Sequence, residues 1–229
     1  MNWKDVSVWQ MQQITNVLSK NEGDTGLDIA VKTLAILTNR TESEIDSLSL
    51  DELGRQIKGI AFINESQPSP KPQDYIKVNG RKYKCIYDIK NMPYARYMET
   101  KFFGSDVINN LHKIGASMVM PMKKTLFGWK VDKYDAGKHE EYANDLLEAS
   151  YESVYGSIVF FCQVYTQSIN NLADYLRKKM SEKAETKTQA EAATTILCNV
   201  LDGFTKLPLL PSMNELNSKK STTFQQFNV

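Results

Sequence analysis

Histidine and cysteine are scarce in this chain: His112 and His139, with Cys85, Cys162 and Cys198, are the only ones in 229 residues. The cysteines stand 77 and 36 residues apart. An odd number without x₂ or x₄ spacing frames neither a disulfide scaffold nor a zinc site, so a reducing, cytoplasmic setting is expected. There is no glycine-rich phosphate loop, no G-x-S-x-G and no paired metal-ligand motif, so no metal, cofactor or catalytic set is expected. Long apolar runs are missing as well. The most apolar short stretch, IVFFC at Ile158 to Cys162, falls far below the roughly 20 residues that a membrane span needs. The opening MNWKDVSVWQMQQ is polar and reads as no signal peptide. No membrane partner is expected.

Excess charge of either sign is lacking too. Lys+Arg number 28 against 27 Asp+Glu, a net charge of +1, which argues against a dedicated nucleic-acid binder. What remains is ordinary globular material: 41% hydrophobic and 24% charged residues, enough for one full core or two small ones.

The pattern predicts a mainly α protein: a helical domain with one inserted β-hairpin and an extended C-terminal tail. Residues 1–65 read as an N-terminal helical unit. Val6, Trp9, Ile14, Val17 and Leu18 approximate one helical face, and NEGDTG then breaks the helix. Leu27, Ala30, Val31, Leu34 and Ile36 or Leu37 resume it. Two capping boxes follow, Thr41 with Glu44 and Ser49 with Glu52, predicting a short helix from Thr41 and a longer one over 50–63. Residues 66–73, SQPSPKPQ, carry three alternate prolines and read as a stiff extended linker rather than a PxxP ligand.

Residues 74–202 hold the hairpin and a helical core. The strands predicted over 75–78 and 81–87 flank Asn79-Gly80, the dipeptide of a type I′ turn. Lys77, Arg81, Lys82 and Lys84 read as a solvated face that keeps an edge strand from pairing at random, with phosphate contact as the weaker alternative. Pro93 suits the start of a helix over 94–103 closed by Gly104, and Ser105 is expected to cap a second through Met118, with Pro121 as its stop. Residues 125–135 read as a loop or short strand containing Trp129. A long helical stretch starts near Gly137, with Val154, Ile158, Phe161, Tyr165, Ile169, Leu172 and Leu176 as its stripe. The segment 177–191 is charged, and 194–201 reads as a last short helix. Residues 203–229 form the tail, polar and proline-broken, whose Leu207, Leu209, Leu210, Phe224 and Phe227 are the expected partner-binding anchors on a neighbouring subunit.

Individual reactive residues have plain readings. His139-Glu140-Glu141 begins like a zincin helix, but Ala143 stands where the second histidine belongs. Asp132, Asp135, His139 and Glu140 suit a helix N-terminus, where the macrodipole favours carboxylates. His112 reads as a surface or hydrogen-bonded core residue, and Cys162 as a small hydrophobe. Met118, Met120 and Met122 read as core and helix end.

Several segments in order resemble a family of small proteins from tailed bacteriophages of Bacteroides-type hosts. They are NWKDVSVWQMQQI, LDIAVKTLAILTNRTESEIDSLSLDEL, IKVNGRKYKCIYDI, HKIGASMVMPM and HEEYANDLLEASYESVYGSIVFF, within residues 2–176. The resemblance implies a non-enzymatic structural protein of the virion, in the tail or head–tail connector, assembled in the host cytoplasm. Its implied partners are other phage structural proteins and copies of itself in a ring. The alternatives are a cytoplasmic tail assembly chaperone left out of the particle, or an enzyme with an unrecognised site near residues 132–141.

Overall fold

The computed structural model describes residues 1–20, 23–65, 68, 71–88 and 93–183. Its first third is a set of short helices opened by side-chain caps. Ser7 Oγ accepts from the Gln10 N–H at 3.1 Å, and Gln10 Oε1 accepts from the Ser7 N–H at 2.9 Å, starting α1 (Val8–Ser19). Thr25 with Asp28 starts α2 (Gly26–Thr38) in the same way, and Thr41 with Glu44 starts α3 (Glu42–Asp46). At Ser49 only half of the expected box forms. The Glu52 N–H donates to Ser49 Oγ at 3.3 Å, but the Glu52 carboxylate accepts from Gln56 Nε2 at 2.7 Å instead. The helix expected over 50–63 is divided into α4 (Leu50–Ile60) and α5 (Phe62–Glu65), with Ile60 and Ile63 both buried.

The inward face of α1 differs from the expected one. Trp9 is 42% exposed, while Val8, Met11 and Ile14 are buried together with Gln10 and Gln12. Those glutamines explain the rotation. Gln10 Nε2 donates to Ile36 O at 3.1 Å and Leu37 O at 3.3 Å, carbonyls in the last turn of α2, where intrahelical donors run out. In α2, Leu27 is likewise exposed and Ile29 takes the buried place.

Four strands form one antiparallel sheet in the order β1 (Tyr75–Val78), β2 (Arg81–Cys85), β3 (Val119–Thr125), β4 (Gly128–Val131). The expected hairpin is β1–β2, with Asn79 at φ 50° and Gly80 at φ 72°, the positive pair of a type I′ turn. Ile76, Val78, Tyr83 and Cys85 are buried, and their strand neighbours alternate outward.

A second hairpin, β3–β4, occupies residues read as a helix stop and as a loop or short strand containing Trp129, and that short strand is β4. Helix α7 (Leu111–Met118) has already ended when Pro121 is reached, and Pro121 lies inside β3. Proline fixes φ and disfavours helix at the residue before it, so extended backbone suits it. Leu126 and Phe127 make the turn between Thr125 and Gly128, and Gly128 sits at φ 115°.

Between the two hairpins run α6 (Tyr94–Phe103), a 3₁₀ turn at Gly104–Asp106, and α7. Ser105 does not cap a helix running to Met118. Asp106 holds a turn first, accepting from the Asn109 N–H at 3.3 Å and from Asn109 Nδ2 at 2.8 Å, and α7 begins at Leu111.

The long stretch expected from Gly137 is two helices, α8 (His139–Glu148) and α9 (Tyr151–Lys183). At their junction the N-terminal segment is pinned by backbone: the Val8 N–H donates to Ala149 O at 3.0 Å and the Tyr151 N–H to Val6 O at 2.7 Å. One apolar core then runs from Trp3 and Val6 through the sheet to α9. Of the α9 stripe, Val154, Ile158 and Phe161 are buried; Tyr165, Ile169, Leu172 and Leu176 lie outside the described side chains. The rest of the charged segment beyond 183, the last short helix and the whole tail lie outside the described residues, as do Ser66, Gln67, Ser69 and Pro70 of the linker. Among the described residues, no helix is long and apolar enough to cross a membrane.

Replacing Asn79-Gly80 by Val-Val forces two β-branched residues to positive φ. It is expected to lower the thermal midpoint by about 5–10 °C. An unchanged midpoint in a thermal melt would show that the turn imposes no such constraint.

Candidate functional site

The sheet and α8 meet over a half-open polar basin. Arg81 Nη1 lies 2.5 Å from Glu141 Oε1 and 3.0 Å from Asp145 Oδ2, bridging β2 to α8. The Tyr83 hydroxyl donates to the same Asp145 carboxylate. Burial, and then the neighbouring Asp145, push that phenol well above its usual range. Asp132 accepts from the Lys133 N–H at 2.9 Å and from Lys123 Nζ at 3.1 Å, and these bonds, the backbone one first, hold its carboxyl below the usual value. Arg81, Glu141, Asp145, Lys123 and Asp132 are each answered by a neighbour, and the Arg81 pairs clamp the sheet to α8.

Asp132, Asp135, His139 and Glu140, read as the lining of a helix N-terminus, lie at or ahead of the start of α8 but do not form one cluster. Asp135 accepts from the Gly137 N–H at 3.0 Å, capping the turn ahead of α8, and Glu140 is exposed. His139 turns the other way, stacking on Phe103 with ring centroids 5.6 Å apart. Its Nε2 lies 3.1 Å from Ser117 Oγ, 3.2 Å from Lys113 O and 3.9 Å from Glu99 Oε2.

Serine, histidine and glutamate thus come together from α7, α8 and α6, which sequence spacing did not reveal. A catalytic triad sets its serine and carboxylate on opposite ring nitrogens. Here both approach Nε2, and Ser117 is wholly buried. The set works as packing glue between three helices.

His112 is buried on α7, beneath α1. Gln12 Nε2 donates to Ile108 O and Asn109 O, both at 2.9 Å, and lies 3.0 Å from His112 Nδ1. An amide donor facing Nδ1 calls for an unprotonated nitrogen there. Burial, with Lys113 nearby, draws the imidazole down to about 4. Arg96, which sequence reading passed over, is also buried: its guanidinium lies 4.0 Å from the Tyr134 ring and donates to Val119 O at 2.7 Å.

Cys85 is buried and Cys162 half-buried, and both are free thiols; Cys198 lies outside the described residues. Burial raises the Cys85 thiol and lifts Cys162 to about 11, so neither is a ready thiolate at neutral pH. Met118 is buried at the end of α7, and Met120 and Met122 are half-buried in β3. Among the described residues, no group of three His, Cys, Asp or Glu side chains is placed to hold a metal ion.

The sheet also carries the most exposed apolar side chains of the described residues. Leu126 and Phe127, at the tip of β3–β4, are 99% and 100% exposed. Together they form a two-residue apolar tip at the end of the ribbon. The partner anchors expected in the tail, Leu207, Leu209, Leu210, Phe224 and Phe227, lie outside the described residues.

No protein-family model, curated protein or solved structure matches this chain.

The buried His112 predicts a pH dependence. The folded state keeps the ring neutral, whereas the unfolded chain takes up a proton below about 6.5. Between about 6.5 and about 4 the unfolded state therefore binds more protons, and the contribution to stability present above that window is lost as pH falls through it. Urea midpoints across this range should fall more steeply for the native protein than for His112→Gln. Parallel curves for the two would place the charged ring comfortably in the folded state.

Proposed function

We propose that this chain is a non-enzymatic structural protein of a tailed-phage virion, acting in the tail or the head–tail connection. It works through contacts with other phage structural proteins and with further copies of itself in a ring, and is assembled in the host cytoplasm. The observation that supports this best is the exposed Leu126–Phe127 tip. Fully burying such side chains in a neighbour's socket is worth about 1.5–3 kcal/mol each. The tip sits on a ribbon whose base is held by the sheet and by the Lys123–Asp132 ion pair, so little ordering would be needed on docking. The resemblance of the segments within residues 2–176 to small phage morphogenesis proteins points the same way.

Quantitative mass spectrometry of purified phage particles tests the proposal. The protein should be present at a constant ratio to the major structural proteins, and Leu126→Ser with Phe127→Ser should reduce its incorporation while leaving its fold intact. Absence from mature particles would overturn the structural role in favour of an assembly chaperone.

A further inference from the structure

The near-zero net charge of the chain conceals a segregation. Residues 75–85 and 119–131, which make up the sheet and its two turns, contain seven lysines and arginines and not one aspartate or glutamate. The other 21 cations of the chain are set against all 27 carboxylates. Two of the seven are neutralised by groups from outside the sheet, Arg81 by Glu141 and Asp145, and Lys123 by Asp132. No carboxylate among the described residues pairs with Lys77, Lys82, Lys84, Lys124 or Lys130.

The strand register shows where four of these go. Lys77 pairs with Lys82, Lys82 with Met122 and Met122 with Val131, so these residues form one cross-strand row. Tyr75 with Lys84 lies in the row on one side, and Lys124 with Trp129 in the row on the other. Side chains directly opposite one another share a face, and the face repeats every second residue, so the three rows share one surface. Its rows are about 7 Å apart. The opposite side of β1 and β2 carries the buried Ile76, Val78, Tyr83 and Cys85. On the outward side Tyr75 and Trp129 are each 41% exposed, and Lys82 Nζ rests 3.8 Å from the Tyr75 ring centroid.

We infer that this outward sheet face binds single-stranded nucleic acid. A face with four lysines and no carboxylate attracts a polyanion. Two aromatic rings set among those lysines offer stacking planes for unpaired bases, which a duplex keeps covered. The chemistry is independent of base sequence: lysines contact phosphates and the rings take any base. It goes beyond the structural role proposed above, and neither reading requires the other.

The test is fluorescence anisotropy of a labelled oligothymidylate of about 20 nucleotides, titrated with the full-length protein at low salt. Binding is expected, with log K falling against log salt at a slope of about −2 to −3, as three or four phosphate contacts on a single strand give. Lys77→Glu with Lys84→Glu should weaken it by about tenfold or more. The same reversals at the exposed Lys20 and Lys58, outside the sheet, should leave it within about twofold if the sheet face is the site. Trp129→Ala should weaken binding about tenfold with the salt slope unchanged, because stacking releases no counterions. Circular dichroism and thermal midpoints establish that each variant is folded, and the lysine reversals keep the test open if Trp129→Ala is not. No binding at low salt overturns the inference, as does equal loss from reversals on and off the sheet. Equal affinity for duplex DNA with no effect of Trp129→Ala would also overturn it, leaving a phosphate-only surface.

Discussion

The close approach of α7 to α8 and α9 at Gly115 is the contact on which the rest of the architecture depends. A Cβ at that position would stand 2.9 Å from Leu146 Cδ1 on α8 and 3.5 Å from Val154 Cγ1 on α9. Leu146 and Val154 are wholly buried, so glycine lets three helices share one seam at interior packing density. From this seam the other elements take their places. The N-terminal segment is stitched by backbone hydrogen bonds to the α8–α9 junction, and α1 sets Gln12 onto the turn ahead of α7. Helix α7 runs directly from Met118 into Val119 of β3, so its position also sets the sheet.

That continuity matters for function because both surface features belong to the sheet. The apolar tip, Leu126 with Phe127, lies at one end of β3–β4, and the lysine-rich face lies across all four strands. They differ in the physics they offer. Hydrophobic contact at the tip is short-ranged and salt-insensitive, whereas a face of unpaired lysines acts over a Debye length, about 8 Å at physiological salt.

Much of the local structure was legible in the sequence because it is enforced locally. Asn79-Gly80 selects its turn, Thr41 and Glu44 their cap, and the spacing of Val154, Ile158 and Phe161 their buried side. Tertiary demand decided the rest. Trp9 looked like core and lies outside, because Gln10 is drawn inward to carbonyls at the end of α2 and Gln12 to carbonyls of the turn ahead of α7. The β3–β4 hairpin was hidden because its turn is Leu-Phe-Gly, without the Asn-Gly signature, and because Pro121 in a strand next to a helix reads as a stop. The Ser117, His139 and Glu99 cluster joins three helices and has no spacing to read. Net charge is blind to placement: a sum over 229 residues does not show that seven cations gather on one sheet, of which the hairpin pattern singled out Lys77, Arg81, Lys82 and Lys84.

The seam at Gly115 is tested most directly by the stability of Gly115→Val in urea denaturation. Valine is at least as good a helix former as glycine, so any loss reports crowding rather than backbone preference. Overpacking against Leu146, Val154 and Ile158 should cost about 1–3 kcal/mol. Stability equal to or above that of the native protein would contradict the account, because it would mean that α7, α8 and α9 do not meet this closely.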